Sequence, residues 1–243
     1  QRAVQALSDS LLGPANLPES MKREITAADL DLPFERLADA AAGLGHASLT
    51  VGNDAEGRRH ALLIRYRGAL IPSMPLRLTA AYLGQDPGKL SVRDGGIRLG
   101  SGFAQMVDGG VLLPFSREPP PFDVHSCADV LDGNVPKSLK GRVALVGLGR
   151  GVGRTFWTPV DPDMPEGRLG AWSLAALLSG KSIGRPAVLS YLEPVLVLVL
   201  GLLAVFFCSR LGYLGSLGAA AGLAVAGFAA GLAAFSLSGI WLR

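Results

Sequence analysis

Residues 143–153, "VALVGLGRGVG", set an apolar run behind the basic turn "LKGR" and follow it with four glycines, Gly147, Gly149, Gly151 and Gly153. A strand that delivers a glycine-rich loop into a helix N-terminus binds pyrophosphate, because the backbone can approach the anion closely and the helix N–H groups receive it. This stretch therefore decides between a doubly wound nucleotide-binding sheet and some other α/β arrangement. The dinucleotide spacing G-x-G-x-x-G puts its third glycine at Val152. The residues that follow, "RTFWTPVDPDMPEG", hold three prolines and no helical period, and no G-K-[ST] is present for a P-loop. The expectation is a buried strand over "KGRVALVG" and a tight glycine loop after it, with no nucleotide cofactor.

Composition splits the chain in two. Of 243 residues 49% are hydrophobic and only 18% charged, and that apolar excess has to be concentrated somewhere. From Val188 onward the only charged residues are Glu193, Arg210 and Arg243. Residues 190–208, "SYLEPVLVLVLGLLAVFFC", match the ~20 residues that cross a hydrocarbon core. Ser190 and Glu193 have capping-box spacing, Pro194 falls in the first turn, and Tyr191 suits an interface. Leu211 to Ile240 carries no charge and contains "GAAAG" and "GFAAG", small-xxx-small patterns that let helices pack closely. The expectation is a transmembrane hairpin with spans at about 190–208 and 213–237. Arg210 in its turn favours the cytoplasm, although Lys181 and Arg185 flank the other end. A third span is expected after Arg243.

Residues 1–187 are close to charge balance, and no Lys/Arg run interleaved with aromatics suggests nucleic acid, so none is expected as a partner. Cys127 and Cys208 lie in different environments and give neither a disulfide nor a metal framework. Nothing near Gln1 resembles a signal peptide, and the chain reads as a fragment of a larger protein.

Along this half, "DLPFERLADAAAGLGH" has the start and stop signals of an amphipathic helix. "HASLTVG" and "RHALLIRYRG" read as a hairpin around the turn cluster "NDAEG", where Asp54 and Glu56 are turn residues rather than a calcium loop. "MPLRLTAAYLG" is a helix closed by Gly84, and the Gly-rich segment after it makes short strands and turns. A strand at "GGVLL", a proline-rich loop, a short strand, and a helix capped by Ser126 and Asp129 and closed by Gly133 come next. "RLGAWSLAALLSGKSIGRP" supplies the last helix before the apolar tail. Strands and helices mix throughout, so the class is α/β with a mixed sheet.

Catalytic patterns are weak. Asp123, His125 and Ser126 fall on one strand-to-helix turn, where they cannot stack as a triad, and Ser126 already has a capping role. His46 and His60 flank the expected hairpin and could face each other, but two histidines without a third ligand read as polar surface residues. The aromatics Phe103, Phe115, Phe122, Phe156, Trp157 and Trp172 read as core. No catalytic, cofactor-binding or metal residue is assigned.

The series "HSCADVLDGNVPKSLKGRVALVG", "WTPVDPDMPEG" and "SLAALLSGKSIGRP", closing into apolar spans, resembles the type-2 CHASE domain, and "GHASLTVGNDAEGRRHALLIRYRG" is similar to that family's "GH…D.DG..R" hairpin. The likeness covers roughly residues 30–187 and the tail. Glu56 stands where that family has Asp, the arginines of "GRRH" are shifted, and Gly170 and Trp172 replace polar residues of its last helix, so no ligand-binding residue carries over. The resemblance implies an extracytoplasmic sensor, residues 1–187 and N-terminally truncated, followed by a transmembrane region, residues 188–243. It implies a bacterial inner-membrane receptor, a homodimer by analogy, whose cytoplasmic cyclase or kinase output is absent from this chain. The stimulus, a small molecule or an envelope protein, stays open. The alternative is a membrane-anchored envelope binding or assembly protein without an output domain.

Overall fold

The computed structural model describes residues 26–48, 59–67, 69–86, 90, 92–93, 96–100, 102–106, 110–115, 120–134, 139–180 and 189–238. The chain divides into two units, Gln1–Ser182 and Ile183–Arg243, each taken by itself below.

In the first unit the elements run α1 (Glu35–Ala40), β1 (Arg59–Ala61), β2 (Leu63–Tyr66), β3 (Ala69–Pro72), α2 (Met74–Tyr82), β4 (Val92–Arg93), β5 (Gly96–Leu99), β6 (Gly102–Gln105), β7 (Gly110–Leu112), α3 (Cys127–Leu131), β8 (Thr155–Phe156), β9 (Met164–Pro165) and α4 (Glu166–Ser179). Helices and small antiparallel sheets mix through this unit, which fits the expected α/β class, but the expected mixed sheet is not found among the described residues. Four small antiparallel sheets take its place, ordered β1-β7, β2-β3, β4-β5-β6 and β8-β9. Among the described residues, parallel pairing is confined to two isolated bridges, Thr26 with Arg65 and His46 with Ser73.

The strand predicted over "RHALLIRYRG" bends at Leu62 and divides. Its first part pairs forward with β7, with His60 opposite Val111. Its second part turns back on itself, with Tyr66 opposite Ala69. Arg67 in that turn takes φ +48, the left-handed conformation that tight hairpin turns require. Residues 49–58, including Asp54 and Glu56, lie outside the described residues, and of the expected hairpin partner "HASLTVG" the described His46 bridges Ser73 in parallel instead of pairing with 59–66.

Both longer helices of this unit form for reasons legible in their sequence. Ser73 accepts a hydrogen bond from the Leu76 N–H, Pro75 occupies the first turn, and Gly84 follows the end at φ +65. Pro75, Leu76, Thr79 and Ala80 make the buried stripe of α2. In α4, Leu169, Trp172, Leu174, Ala176 and Leu177 are buried, and Gly180 closes the helix in the left-handed conformation at φ +65. The two helices pack against each other. They share one core with Leu62, Leu63, Leu70, Ile97, Leu99, Val111, Leu113 and Met164. Ala61, Ile64 and Ile71 form a second, smaller cluster.

One expectation fails outright. "KGRVALVG" neither pairs nor buries: Val143 and Leu145 are half-buried, whereas Val146 and Leu148 are 81% and 63% exposed. Its apolar composition suits a strand, but among the described residues no strand pairs with it, and without a neighbour's ladder only alternate side chains find cover. The short strand expected before α3 is likewise irregular.

The second unit is two helices, α5 (Leu189–Arg210) and α6 (Tyr213–Ser238), which pack on each other. They overlap the segments 190–208 and 213–237 that the sequence reading takes as membrane spans, with Ser190 inside the first helix rather than capping it. Among the described residues, no helix is long and apolar enough to cross a membrane.

Candidate functional site

The glycines of the opening stretch have a mechanical use. A Cβ on Gly147 would lie 2.9 Å from the Gly167 Cα, and a Cβ on Gly167 would lie 3.1 Å from the Gly147 Cα. The extended segment therefore crosses the first turn of α4 backbone against backbone. Leu145 reaches the open side of Gly170 one turn later, and Gly151 turns the chain at φ +78. Gly149 meets nothing within 4 Å. The loop meets a helix, as a phosphate cradle would, but the helix comes 13 residues after the last glycine and its start is already in use: the Glu166 N–H donates to the Arg154 carbonyl at 3.1 Å.

"WTPVDPDMPEG" forms the joint beneath this crossing. Thr158 is buried, its hydroxyl donating to the Asp161 carbonyl at 2.7 Å and accepting from the Asp161 N–H at 3.0 Å. That turn presents the Asp161 carboxylate, 12% exposed, to Arg150 of the glycine loop and to Arg168 of α4, the latter at 3.9 Å. Asp161 is thus a single anion shared by two cations on the two elements that cross. Behind it Met164 enters the core, and Trp172 receives the edges of Phe115 and Phe122 at centroid distances of 5.3 and 5.8 Å.

The sequence reading of His46 and His60 as surface residues is overturned. They are 7% and 1% exposed, and among the described residues neither nitrogen of either ring has a hydrogen-bond partner. Gly45 sets up the first of them: a Cβ there would lie 2.8 Å from the Met74 backbone, so only glycine lets the chain run this close to the start of α2. Arg77 braces the same loop, donating from Nη1 to the Leu44 carbonyl at 3.1 Å. Burial lowers the pKa of that guanidinium, and Asp86 opposes the shift. His46 is held to about 4, chiefly by burial, while the nearby Leu62 and Ser48 backbones pull it upward without reaching hydrogen-bond geometry. His60 is held to about 3 by burial and by the charge of His46. Both rings are therefore neutral at ordinary pH. A signal for this burial was present in the sequence: "GLGH" crowds glycine before one histidine, and "HALLI" sets the other at the head of an apolar run.

The remaining candidates disperse. Asp123 is engaged by Arg142 at 3.3 Å, and Ser126 caps α3 through the Ala128 N–H at 3.2 Å, so Asp123, His125 and Ser126 form no catalytic array. Cys127 is exposed and free. Phe103 and Trp157, expected in the core, are 43% and 50% exposed. Among the described residues, no three His, Cys, Asp or Glu side chains gather in a way that could hold a metal ion.

Comparison with known proteins gives one finding. The sequence model described as the CHASE2 domain matches residues 2–209. No curated protein and no solved structure matches the chain.

Proposed function

Because the chain belongs to the CHASE2 family, an extracellular sensory domain family of signalling receptors, we propose that it is the input half of a receptor. In this reading the first unit senses a stimulus outside the cell, α5 and α6 cross the bacterial inner membrane, and a cytoplasmic cyclase or kinase beyond residue 243 is the output. One observation carries the reading. The family match does not stop at the sensor fold but continues to residue 209, one residue short of the end of α5. The match thus takes in most of the apolar helix as well as the first unit.

The amino-acid sequence is what supports the membrane assignment, since among the described residues no helix is long and apolar enough to cross a membrane. Between Val195 and Cys208 the sequence has no charged residue, and Arg210 stands in the turn. Only residues 180–188 separate the end of α4 from α5 in the sequence, so a displacement of α4 has a short path to the helix that follows. A stimulus would act by binding one arrangement of the first unit more tightly than another. Dimerisation through the small-xxx-small faces of α6 would place two such helices side by side.

The test is topology. Alkaline phosphatase fused after Gly180 is expected to be active, and fused after Arg210 inactive. Inactivity at Gly180, or activity at both junctions, would overturn an outside sensor followed by a membrane span.

A further inference from the structure

The turn beneath the glycine crossing gathers more positive charge than it neutralises. We propose that Arg150 and Arg168, beside the exposed Trp157, form a binding site for a small monocarboxylate that carries an apolar body. Printed contacts fix the placement. Gly147 and Gly167 cross backbone against backbone, which sets the loop that carries Arg150 against the first turn of α4 that carries Arg168. The Thr158 hydroxyl, bonded to the N–H and the carbonyl of Asp161, orients that residue. One oxygen of the Asp161 carboxylate, Oδ2, meets both guanidiniums, and the other accepts the Asp163 N–H at 3.1 Å. Arg150 is bonded to it. Arg168 comes only to 3.9 Å, beyond hydrogen-bond reach, and its Nε is buried without a partner among the described residues. Both arginine side chains stay open to solvent, at 55% and 37%.

The chemistry selects the ligand. A guanidinium presents a planar fork of donors that matches a carboxylate or a phosphate. Two of them sharing one carboxylate oxygen leave donors and a positive charge unmatched. A single further negative charge balances the group. Asp163, bonded to Asp161, and Glu166, in the same turn of α4 as Arg168, oppose a second one, so a carboxylate is preferred to a phosphate dianion. Arg168, the looser partner of Asp161, is the group the ligand engages first, and Arg150 shares it across the crossing. The neighbouring residues add apolar surface. Val152 follows Arg150 in the loop, Trp157 precedes Thr158 and Val160 precedes Asp161, and all three are exposed. An open indole next to paired cations suits a ligand with an apolar body at one end and a carboxylate at the other.

That such a ligand is the stimulus rests on the receptor reading. That it binds does not, because binding is measured on the chain itself whereas the receptor reading is tested by topology. The 243-residue protein in neutral detergent micelles is titrated calorimetrically with benzoate as the probe, and in parallel with acetate, benzamide and inorganic phosphate. One equivalent of benzoate is expected to bind saturably, more tightly than acetate or phosphate, and benzamide, which lacks the charge, not at all. Affinity should fall about tenfold or more in Arg150→Gln and in Arg168→Gln, fall about threefold in Trp157→Ala, and stay unchanged in Arg142→Gln, whose guanidinium belongs to a different surface ion pair. Asp161→Asn removes the internal carboxylate and should tighten binding, the opposite sign to the loss of either arginine. Absence of saturable benzoate binding, binding of benzamide, a preference for phosphate, retention in either arginine variant or in Trp157→Ala, an equal loss in Arg142→Gln, or no gain in Asp161→Asn would overturn the site. Should Arg168→Gln fail to melt cooperatively, Arg150→Gln, at the more exposed position, decides.

Discussion

Lowering the pH from 7.5 to 5.0 should destabilise the first unit through His46 and His60. In the unfolded chain each imidazole titrates near 6.5, whereas in the fold the values are about 4 and about 3. A folded pKa below the unfolded one means that the native state refuses a proton that the unfolded state accepts. The stability associated with the neutral rings is therefore complete above pH 6.5 and is lost as pH falls toward 4 and 3. Each pH unit inside that window is worth about 1.4 kcal/mol per histidine. At pH 5.0 each ring has crossed about 1.5 units, so the pair should remove about 4 kcal/mol, a large share of the 5–15 kcal/mol typical of a domain. Burial this complete leaves little solvent to screen the effect. The assay is urea unfolding in chelator-treated buffer at both pH values, for the wild type and for His46→Phe/His60→Phe, which keeps ring volume and removes the titrating nitrogens. The wild type should lose about 4 kcal/mol more than the double variant on acidification. Equal losses would refute the burial of the two rings.

Gly147→Ala should cost about 1–3 kcal/mol, because its Cβ would press on the Gly167 backbone. Gly149→Ala, with open space around it, should stay within about 0.5 kcal/mol, and thermal melts of the two variants check the contrast. Ser73→Ala removes the cap of α2 and should lower stability by about 1 kcal/mol in denaturant unfolding. Asp161→Asn keeps the turn's shape but takes the anion from Arg150 and Arg168. A loss of about 1–3 kcal/mol is expected, shrinking in Asp161→Asn/Arg150→Ala, where one stranded cation is gone.

What the sequence disclosed follows the range of the forces involved. Helix limits were legible because they are local: Gly84 and Gly180 occupy left-handed backbone where the polar-apolar period ends, and Ser126 caps the turn where S-x-x-D predicts a cap. The meander β4-β5-β6 was foreshadowed by the Gly-rich segment after Gly84, read as short strands and turns. Pairing across distance was not legible. Nothing near Arg59–Ala61 announces that it will meet Gly110–Leu112 rather than its neighbours, since any run of alternating burial offers the same edge. The same limit explains the misreading of Val143–Leu148, whose composition is that of an inner strand although none of the described strands lies beside it. The histidines were misjudged because polarity predicts exposure on average, whereas here the backbone bonds that fix His46 beside Ser73, and His60 beside Val111, place them before their own solvation is counted.

In the proposed receptor the contact of Gly147 with Gly167 would act as a bearing. Side chains that interlock can accommodate sliding by changing rotamer, but two bare backbones at van der Waals distance cannot, so the easy relative motion is rotation about the point of contact. From that fulcrum the 14 residues of α4 extend as a rigid arm of about 21 Å. A tilt of about 5° at the glycines would carry the end near Gly180 through about 2 Å, a shift of the size that helix movements use in signalling proteins. The carboxylate of Asp161, tied to both sides of the fulcrum, supplies the restoring force against which a stimulus would have to work.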